Sequence, residues 1–395
     1  MKPRIWIISE LFFPNESATG YILTEIAKAF TFKYEVNVIC ADTNYENDTN
    51  RVAGENESKT IPEINIVRVH IPELDKNSLP KRLLRFFSVN SKLYQQALKK
   101  IKSGDIVFAV TNPAPLLLNL QKLKKKKEIE YILLVHDVFP ENALASGVMK
   151  KTPLYAFVKK RFDKAYAAAD KVLVLGEDMK GIISSKIGSY KNVFVCENWG
   201  EESIKPFARP MDGKIVLQYA GNLGRVQGLK CLLSIVSNLK NDRLLFDFWG
   251  SGALVPYFNN FVSENFLNQV RIRGSYNRGT QNEVLNDCDI AIVCLAKGMK
   301  GLGVPSKTYN ILAAGKPILY IGDEGSEIYN LVKDNDLGAA FDWNQTEELT
   351  EWLNALTITD LDNLKEKGKQ SRALYESRYT KEIILKKILE TVCVK

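Results

Sequence analysis

Short apolar runs alternate with amphipathic segments through most of this 395-residue chain, and that alternation limits the folds open to it. In the first half the runs are Arg4–Ser9, Val36–Ala41, Ile64–His70, Ile106–Val110, Tyr131–Val135, Lys171–Leu175 and Val193–Cys196. In the second half they are Ile215–Ala220, Leu244–Trp249, Val270–Arg273, Ile290–Leu295 and Pro317–Ile321. All are of strand length, whereas Gly20–Phe30, Pro153–Ala168 and Leu229–Leu239 between them carry helical apolar spacing. Strands that alternate with helices fold as parallel sheets covered on both faces, an α/β architecture.

The chain is longer than one core comfortably supports, so two domains are expected. The polar, proline-bearing stretch Glu201–Lys214, EESIKPFARPMDGK, marks the boundary. The division is then 1–203 and 204–375, each a Rossmann-like doubly wound domain, with 376–395 a terminal segment whose helix Thr380–Val392 packs back across the first domain. A ligand is expected in the cleft between the two sheets.

Hydrophobic residues make up 45% and charged residues 25% of the chain, as in a globular protein with a packed core. Cys40, Cys196, Cys231, Cys288, Cys294 and Cys393 form no CxxC pair and no zinc spacing, so a reducing cytoplasm is expected. MKPRIWIISELFF reads as a first strand rather than a signal peptide, and no apolar segment approaches the ~20 residues of a membrane span. Asp287-Cys288-Asp289 has the look of a metal-binding DxD, but it joins a helix end to the apolar run Ile290–Leu295, where turn chemistry explains it.

The segment Gly301–Pro317, GLGVPSKTYNILAAGKP, packs three glycines, two prolines and two lysines around one short helix and runs into an apolar strand. Glycines let backbone approach a ligand, Pro305 suits a first helical turn, and N–H groups of a helix opening near Ser306 attract an anion. Lys307 adds a full positive charge. A second glycine turn, YAGNLGRVQG at Tyr219–Gly228, directly follows a strand; it is not GxGxxG, and Arg225 within it has the fork that binds a diphosphate at two points. Trp249-Gly250-Ser251-Gly252 ends the next strand in the same manner. His136 lies at a strand's carboxyl end, the binding edge of a parallel sheet, whereas His70 ahead of Pro72 reads as structural.

Together, GNLGRVQG and VPSKTYNILAAGKP resemble the second domain of retaining GT-B glycosyltransferases of the glycogen-synthase-like family 4. The style is closest to the bacterial capsule, O-antigen and colanic-acid sugar transferases, the fucosamine transferases among them. SELFFPNESATG (Ser9–Gly20) resembles their opening loop, VHDVFPE (Val135–Glu141) their acceptor-side motif, and ENWG (Glu197–Gly200) the segment before the linker. The resemblance implies the GT-B fold and a set of roles. Arg225 and Lys307 neutralise the donor diphosphate, helped by amides at Gly221, Asn222 and Leu223, with Gly20 and Gly250 on the flanking turns. Arg273, Gly274 and Tyr276 meet the nucleobase, and Asn310 stands where a glutamate usually binds the ribose diol. Met299–Gly303, with Gly301, Leu302 and Gly303 among them, line the donor sugar chiefly through main-chain N–H groups, with Val304, Pro305 and Ser306 leading to the diphosphate. His136 acts near the sugar, with Asp137 and Glu141 on the acceptor side. The family's acid pair, separated by seven residues, falls on Leu302 and Asn310, and its usual Arg and Lys fall on Asn222 and Gln227. The missing acid at Leu302 hints at a deoxy or N-acetylamino sugar.

The reaction so implied is same-face transfer from a UDP-linked sugar, with no cofactor and no metal. Leu79–Lys102 and the basic stretches Lys122–Lys127 and Lys150–Arg161 would rest on the inner face of the cytoplasmic membrane, suiting a polyprenyl-diphosphate-linked saccharide acceptor. A nucleic-acid partner is not expected, because no recognition motif accompanies the charge. Two alternatives stay open on sequence alone: a UDP-sugar 2-epimerase of the same fold, and a non-catalytic relative serving as an assembly partner.

Overall fold

The structure is a computed structural model that describes residues 2–15, 17–42, 60–71, 79–210 and 212–393, without side chains for 79–86. The first sheet contains β1 (Arg4–Ile8), β2 (Glu35–Ala41), β3 (Ile64–Val69), β4 (Ile106–Val110), β5 (Glu130–Val135), β6 (Lys171–Val174) and β7 (Val193–Val195). Its order is β3-β2-β1-β4-β5-β6-β7, all parallel. The second contains β8 (Ile215–Ala220), β9 (Leu244–Trp249), β10 (Val270–Gly274), β11 (Ile290–Cys294), β12 (Ile318–Ile321) and β13 (Gly338–Phe341), ordered β10-β9-β8-β11-β12-β13 and again all parallel. Both orders reverse beside the first strand of the domain, between β1 and β4 and between β8 and β11. Loops diverge at such switch points and leave a crevice at the carboxyl ends of the strands.

Strand β8, IVLQYA, shows how the sequence makes a sheet buried on both sides. Ile215, Leu217 and Tyr219 enter the outer core of the second domain, and Val216 and Ala220 join the opposite layer. That layer is continuous with the core of the first domain, so apolar packing runs from one domain to the other. Full burial of each such side chain contributes roughly 1.5–3 kcal/mol. Strand β13 was not expected: GAAF begins with glycine and has no β-branched residue, and its strand form comes from pairing with β12 at the sheet edge.

Lys316 of the Gly301–Pro317 segment is 7% exposed and donates to the carbonyls of Phe207, Asn286 and Cys288, pinning the incoming linker to the second domain. Asp289 accepts from Arg209 and from the Val216 amide, so that end of the DxD sequence is spent on structure.

The chain crosses between the domains twice, side by side. Gly200 donates its N–H to the Tyr379 carbonyl and forms a parallel bridge with Thr380. Helix Lys381–Cys393 then returns to the first domain, where Ile384, Ile388 and Val392 are buried and Lys381 and Lys387 pair with Glu25 and Glu197. A Cβ on Gly200 would stand 2.4 Å from the Tyr309 carbonyl oxygen and 2.8 Å from a Tyr375 ring carbon. Gly200→Ala is therefore expected to cost about 1–3 kcal/mol through overpacking. A urea titration checks this, and an unchanged midpoint would contradict the crowding at the crossing.

Candidate functional site

Three glycine turns at the ends of β8, β9 and β10 brace one another. Gly221 has φ +146° and donates to the Trp249 carbonyl, Gly250 has φ +136° and donates to Gly274, and Leu223 donates to Ser251. A Cβ on Gly250 would lie 1.9 Å from the Gly221 carbonyl oxygen, and one on Gly252 would lie 2.4 Å from that of Leu223. These glycines permit loop-on-loop contact as much as ligand approach.

Together with the start of helix Ala18–Phe30 and the end of β5, these turns bound a cleft of about 790 Å³ between the domains. Ala18, Thr19, Tyr21, His136, Asp137, Asn198, Trp199 and Glu201 line it from the first domain and the crossing. Gly221, Asn222, Gln227, Gly250, Tyr276, Arg278, Met299, Gly303, Val304, Pro305, Ser306, Lys307 and Asn310 line it from the second. The two sides are tied at the inner end, where Asp137 and Gly303 form an antiparallel bridge and the Val138 amide donates to the Leu302 carbonyl. Beside this tie Asp178 accepts from the amides of Gly301 and Glu327, and Glu327 accepts from that of Glu177.

Lys307 opens the helix Lys307–Ala313 after Ser306, as the Gly301–Pro317 sequence indicates. Its Nζ sits 3.1 Å from the centroid of the Tyr219 ring, beside Gly221, and has no hydrogen-bond partner among the described residues. Burial without a counter-ion drives its pKa down to about 7. Across the cleft, burial lowers the pKa of His136 to about 4, so the imidazole is neutral, and its Nε2 has no partner among the described residues. The Oγ1 of Thr111 accepts from the amides of His136 and Asp137 and fixes this turn. Asp137 meets water in the cleft but has protein on nearly every side, and desolvation raises its carboxyl to about 6. Gln227 Oε1 is also buried and unpartnered. Most buried polar groups find partners inside a protein, so a cationic, an imidazole and an amide group left unpaired around one cleft indicate a polar ligand.

Other residues singled out from the sequence lie elsewhere. Arg225 is exposed on the 3-10 turn Arg225–Gln227, outside the lining, with no hydrogen bond or ion pair among the described residues. Arg273 is paired with the fully buried Asp247 and held 5.9 Å from the Trp249 ring, and Gly274 bonds Gly250. Leu223 is fully buried, and Leu302 is 6% exposed with its carbonyl committed to the domain contact. Gly301, at φ +69°, packs on Asp178 and Ile182. Gly20 packs on Asn15 and donates to the N-cap Ser17, leaving Ala18 and Thr19 at the cleft. Glu141 belongs to a charge network with Lys186, whose side chain is 3% exposed, and with Lys159. Asn310 does line the cleft, but its Oδ1 accepts from the Glu201 amide.

Tyr21, Glu201 and Arg278, which no sequence motif marks, meet at the outer end of the cleft. Tyr21 and Arg278 carry no motif, and Glu201 sits in what reads as a linker.

No protein-family model matches the sequence. The chain is 31% identical over 405 residues to the probable glycosyltransferase WbjE of Pseudomonas aeruginosa, covering 98% of this chain and 97% of the relative. It is 22% identical over 174 residues, 41% of this chain and 43% of the relative, to the putative colanic acid biosynthesis glycosyl transferase WcaI of Escherichia coli K12. Among solved structures it is similar to HepE of Anabaena in complex with UDP, with a TM-score of 0.69, 13% identity and coverage of 98% and 99% of the two chains. Near-complete coverage of WbjE, joined to two parallel-sheet domains facing across a cleft, places this chain in the GT-B glycosyltransferase family to which WbjE belongs.

Proposed function

We propose that this glycosyltransferase moves a sugar from a UDP-linked donor to a lipid-diphosphate-linked saccharide, with retention at the anomeric carbon, in the synthesis of a bacterial surface polysaccharide. The observation that carries the reading is the buried Lys307 ammonium, which lacks a counter-ion at the cleft floor. A diphosphate there supplies the missing charge, and Lys307 then stabilises the leaving phosphate as the bond to the sugar breaks. The UDP held by HepE and the colanic-acid role in the name of WcaI support the donor and pathway classes.

The acceptor hydroxyl attacks the anomeric carbon on the face that the diphosphate leaves. The C–O bond to the phosphate breaks as the new C–O bond forms, and the hydroxyl proton passes to the departing phosphate oxygen. Neutral His136, near the Asp137–Gly303 bridge, hydrogen-bonds the sugar rather than carrying charge, and Asp137 orients the acceptor. Arg225 folds onto the diphosphate from the mouth of the cleft. In this proposal basic side chains, without a metal ion or cofactor, offset the leaving-group charge. A deoxy or N-acetylamino donor sugar stays in the proposal only because the family's acid is missing from the sequence at Leu302, since the Leu302 side chain itself is buried outside the cleft lining. Family membership favours transfer over epimerisation, and the unpaired groups in the cleft speak for a working site rather than a silent relative.

Membrane contact is proposed for a different surface from the one the sequence emphasised. In helix Leu79–Lys100, Val89, Leu93 and Ala97 are fully buried, so this stretch faces the core; the side chains of Leu79–Phe86 lie outside the described residues. Val148, Leu154 and Phe157 are instead 72%, 66% and 60% exposed, among exposed Lys150, Lys151, Lys160 and Arg161. Apolar tips within a basic rim suit an anionic bilayer. Among the described residues no helix is long and apolar enough to cross a membrane.

Lys307→Met should lower turnover by roughly a hundredfold or more, read as UDP release from a panel of UDP-sugars with a lipid-diphosphate-sugar acceptor; near-normal turnover would refute the assignment. The folded pKa of Lys307 lies near 7 against an ordinary 10.5, so between these values the unfolded chain binds more protons and stability rises with pH. Lys307→Met should therefore raise the melting temperature most below pH 7, with the gain fading toward pH 10.5. At pH 8 nucleotide binding should take up about one proton as the ammonium is restored, and calorimetry in buffers of different ionisation enthalpy should show the uptake vanish in the variant. Leu154→Glu with Phe157→Glu should weaken binding to vesicles containing phosphatidylglycerol while leaving nucleotide affinity intact, and unchanged vesicle binding would exclude this surface.

A further inference from the structure

The outer end of the cleft holds a carboxylate built into the crossing between the domains. Gly200 is tied to Tyr379 and Thr380, so the chain entering Glu201 has a fixed course. The Glu201 amide donates to Asn310 Oδ1 at 2.9 Å. Its Oε2 accepts from the Tyr21 hydroxyl at 2.7 Å, and its Oε1 accepts from Arg278 at 2.6 Å. The Arg278 guanidinium lies 3.8 Å above the Tyr21 ring, closing the arrangement. Burial, then the bond to Glu201, pushes the Tyr21 phenol well above its ordinary pKa, so the hydroxyl remains a donor.

These contacts come from three separate parts of the chain and hold the Glu201 side chain 18% exposed on the cleft wall. Each carboxylate oxygen accepts one bond from the protein and keeps a second lone pair. Asn310 is differently placed: its single oxygen already accepts the Glu201 amide and keeps one lone pair of a neutral amide, and its nitrogen offers only donors. A pair of adjacent hydroxyls needs acceptors, and an ionised carboxylate binds O–H donors more strongly than a neutral amide does. Among the described residues lining the cleft, the carboxylates are Asp137 and Glu201. Asp137 is fixed at the opposite end by its bridge to Gly303. That leaves Glu201, which is bonded to Arg278 and shares the cleft lining with Tyr276, where the family resemblance puts the nucleoside.

We propose that Glu201 receives the ribose 2′- and 3′-hydroxyls of the donor nucleotide, with Asn310 positioning its backbone and Tyr21 and Arg278 orienting its carboxylate. This rests on the reading of the cleft as a nucleotide-sugar site. The diol carboxylate is thus carried by the interdomain crossing rather than by helix Lys307–Ala313.

The test is equilibrium binding of UDP, GDP and their 2′,3′-dideoxy counterparts to the full chain and to Glu201→Gln and Glu201→Ala. The unsubstituted protein should prefer the ribonucleotide roughly ten- to a hundredfold, as expected for hydrogen bonds to a charged group. In both variants the preference should fall to within about threefold, while affinity for the dideoxy nucleotide stays unchanged. Equal binding of ribo and dideoxy forms by the unsubstituted protein overturns the assignment and leaves the donor reading standing. Retention of the full preference in a folded Glu201 variant does the same. Binding of neither UDP nor GDP overturns the donor reading and this assignment with it.

Discussion

Everything in the cleft depends on the short backbone contact in which Val138 donates to Leu302 and Asp137 pairs with Gly303. This contact joins the carboxyl end of a first-domain strand to the loop that leads into helix Lys307–Ala313. It therefore sets the spacing between the neutral His136 on one side and the Lys307 ammonium on the other. The Asp178 and Glu327 carboxylates reinforce it by accepting amides from the facing domain. Without this seam the unpaired groups of the two domains would not share one ligand.

The electrostatics of the cleft are lopsided in a useful way. Its buried cation has no carboxylate partner, its histidine is uncharged, and desolvation pushes Asp137 toward the neutral acid. Only the first is costly in an empty protein, because burial penalises an uncompensated charge, whereas the neutral histidine and acid are the forms that burial favours. An incoming diphosphate reverses the balance by restoring a charged pair at low dielectric, where the interaction is stronger than in water. On the proposed reading, affinity and catalysis draw on the same residue, since the charge that holds the ground state would also stabilise the departing phosphate.

Much of the fold was legible in the sequence because a buried parallel sheet is written as apolar runs, and each run named there became a strand. Edge strand β13 escaped because GAAF has no intrinsic strand signal and depends on its neighbour. Lys307 and His136 were legible because they stand in fixed positions relative to strand ends and helix starts. Arg273 and Leu302 looked like ligand contacts for the same reason, yet a fully buried Asp247 captures the first and the domain seam absorbs the second. The Tyr21, Glu201 and Arg278 cluster was invisible in one dimension: its members lie in a helix, a crossing and a 3-10 turn, brought together only by the docking of the domains.

The paired crossing at Gly200 and Thr380 has a mechanical consequence. Two independent linkers would let the domains swing, slide and splay, whereas two strands bonded side by side act as one flexure. Relative motion is confined to a turn about an axis through that ribbon, in the manner of a book opening at its spine. Glu201, one residue along from the axis, travels through a short arc, and Lys307 and His136 separate only when the Val138–Leu302 and Asp137–Gly303 contact is given up. A nucleoside could then stay seated through an opening that separates the two reactive walls.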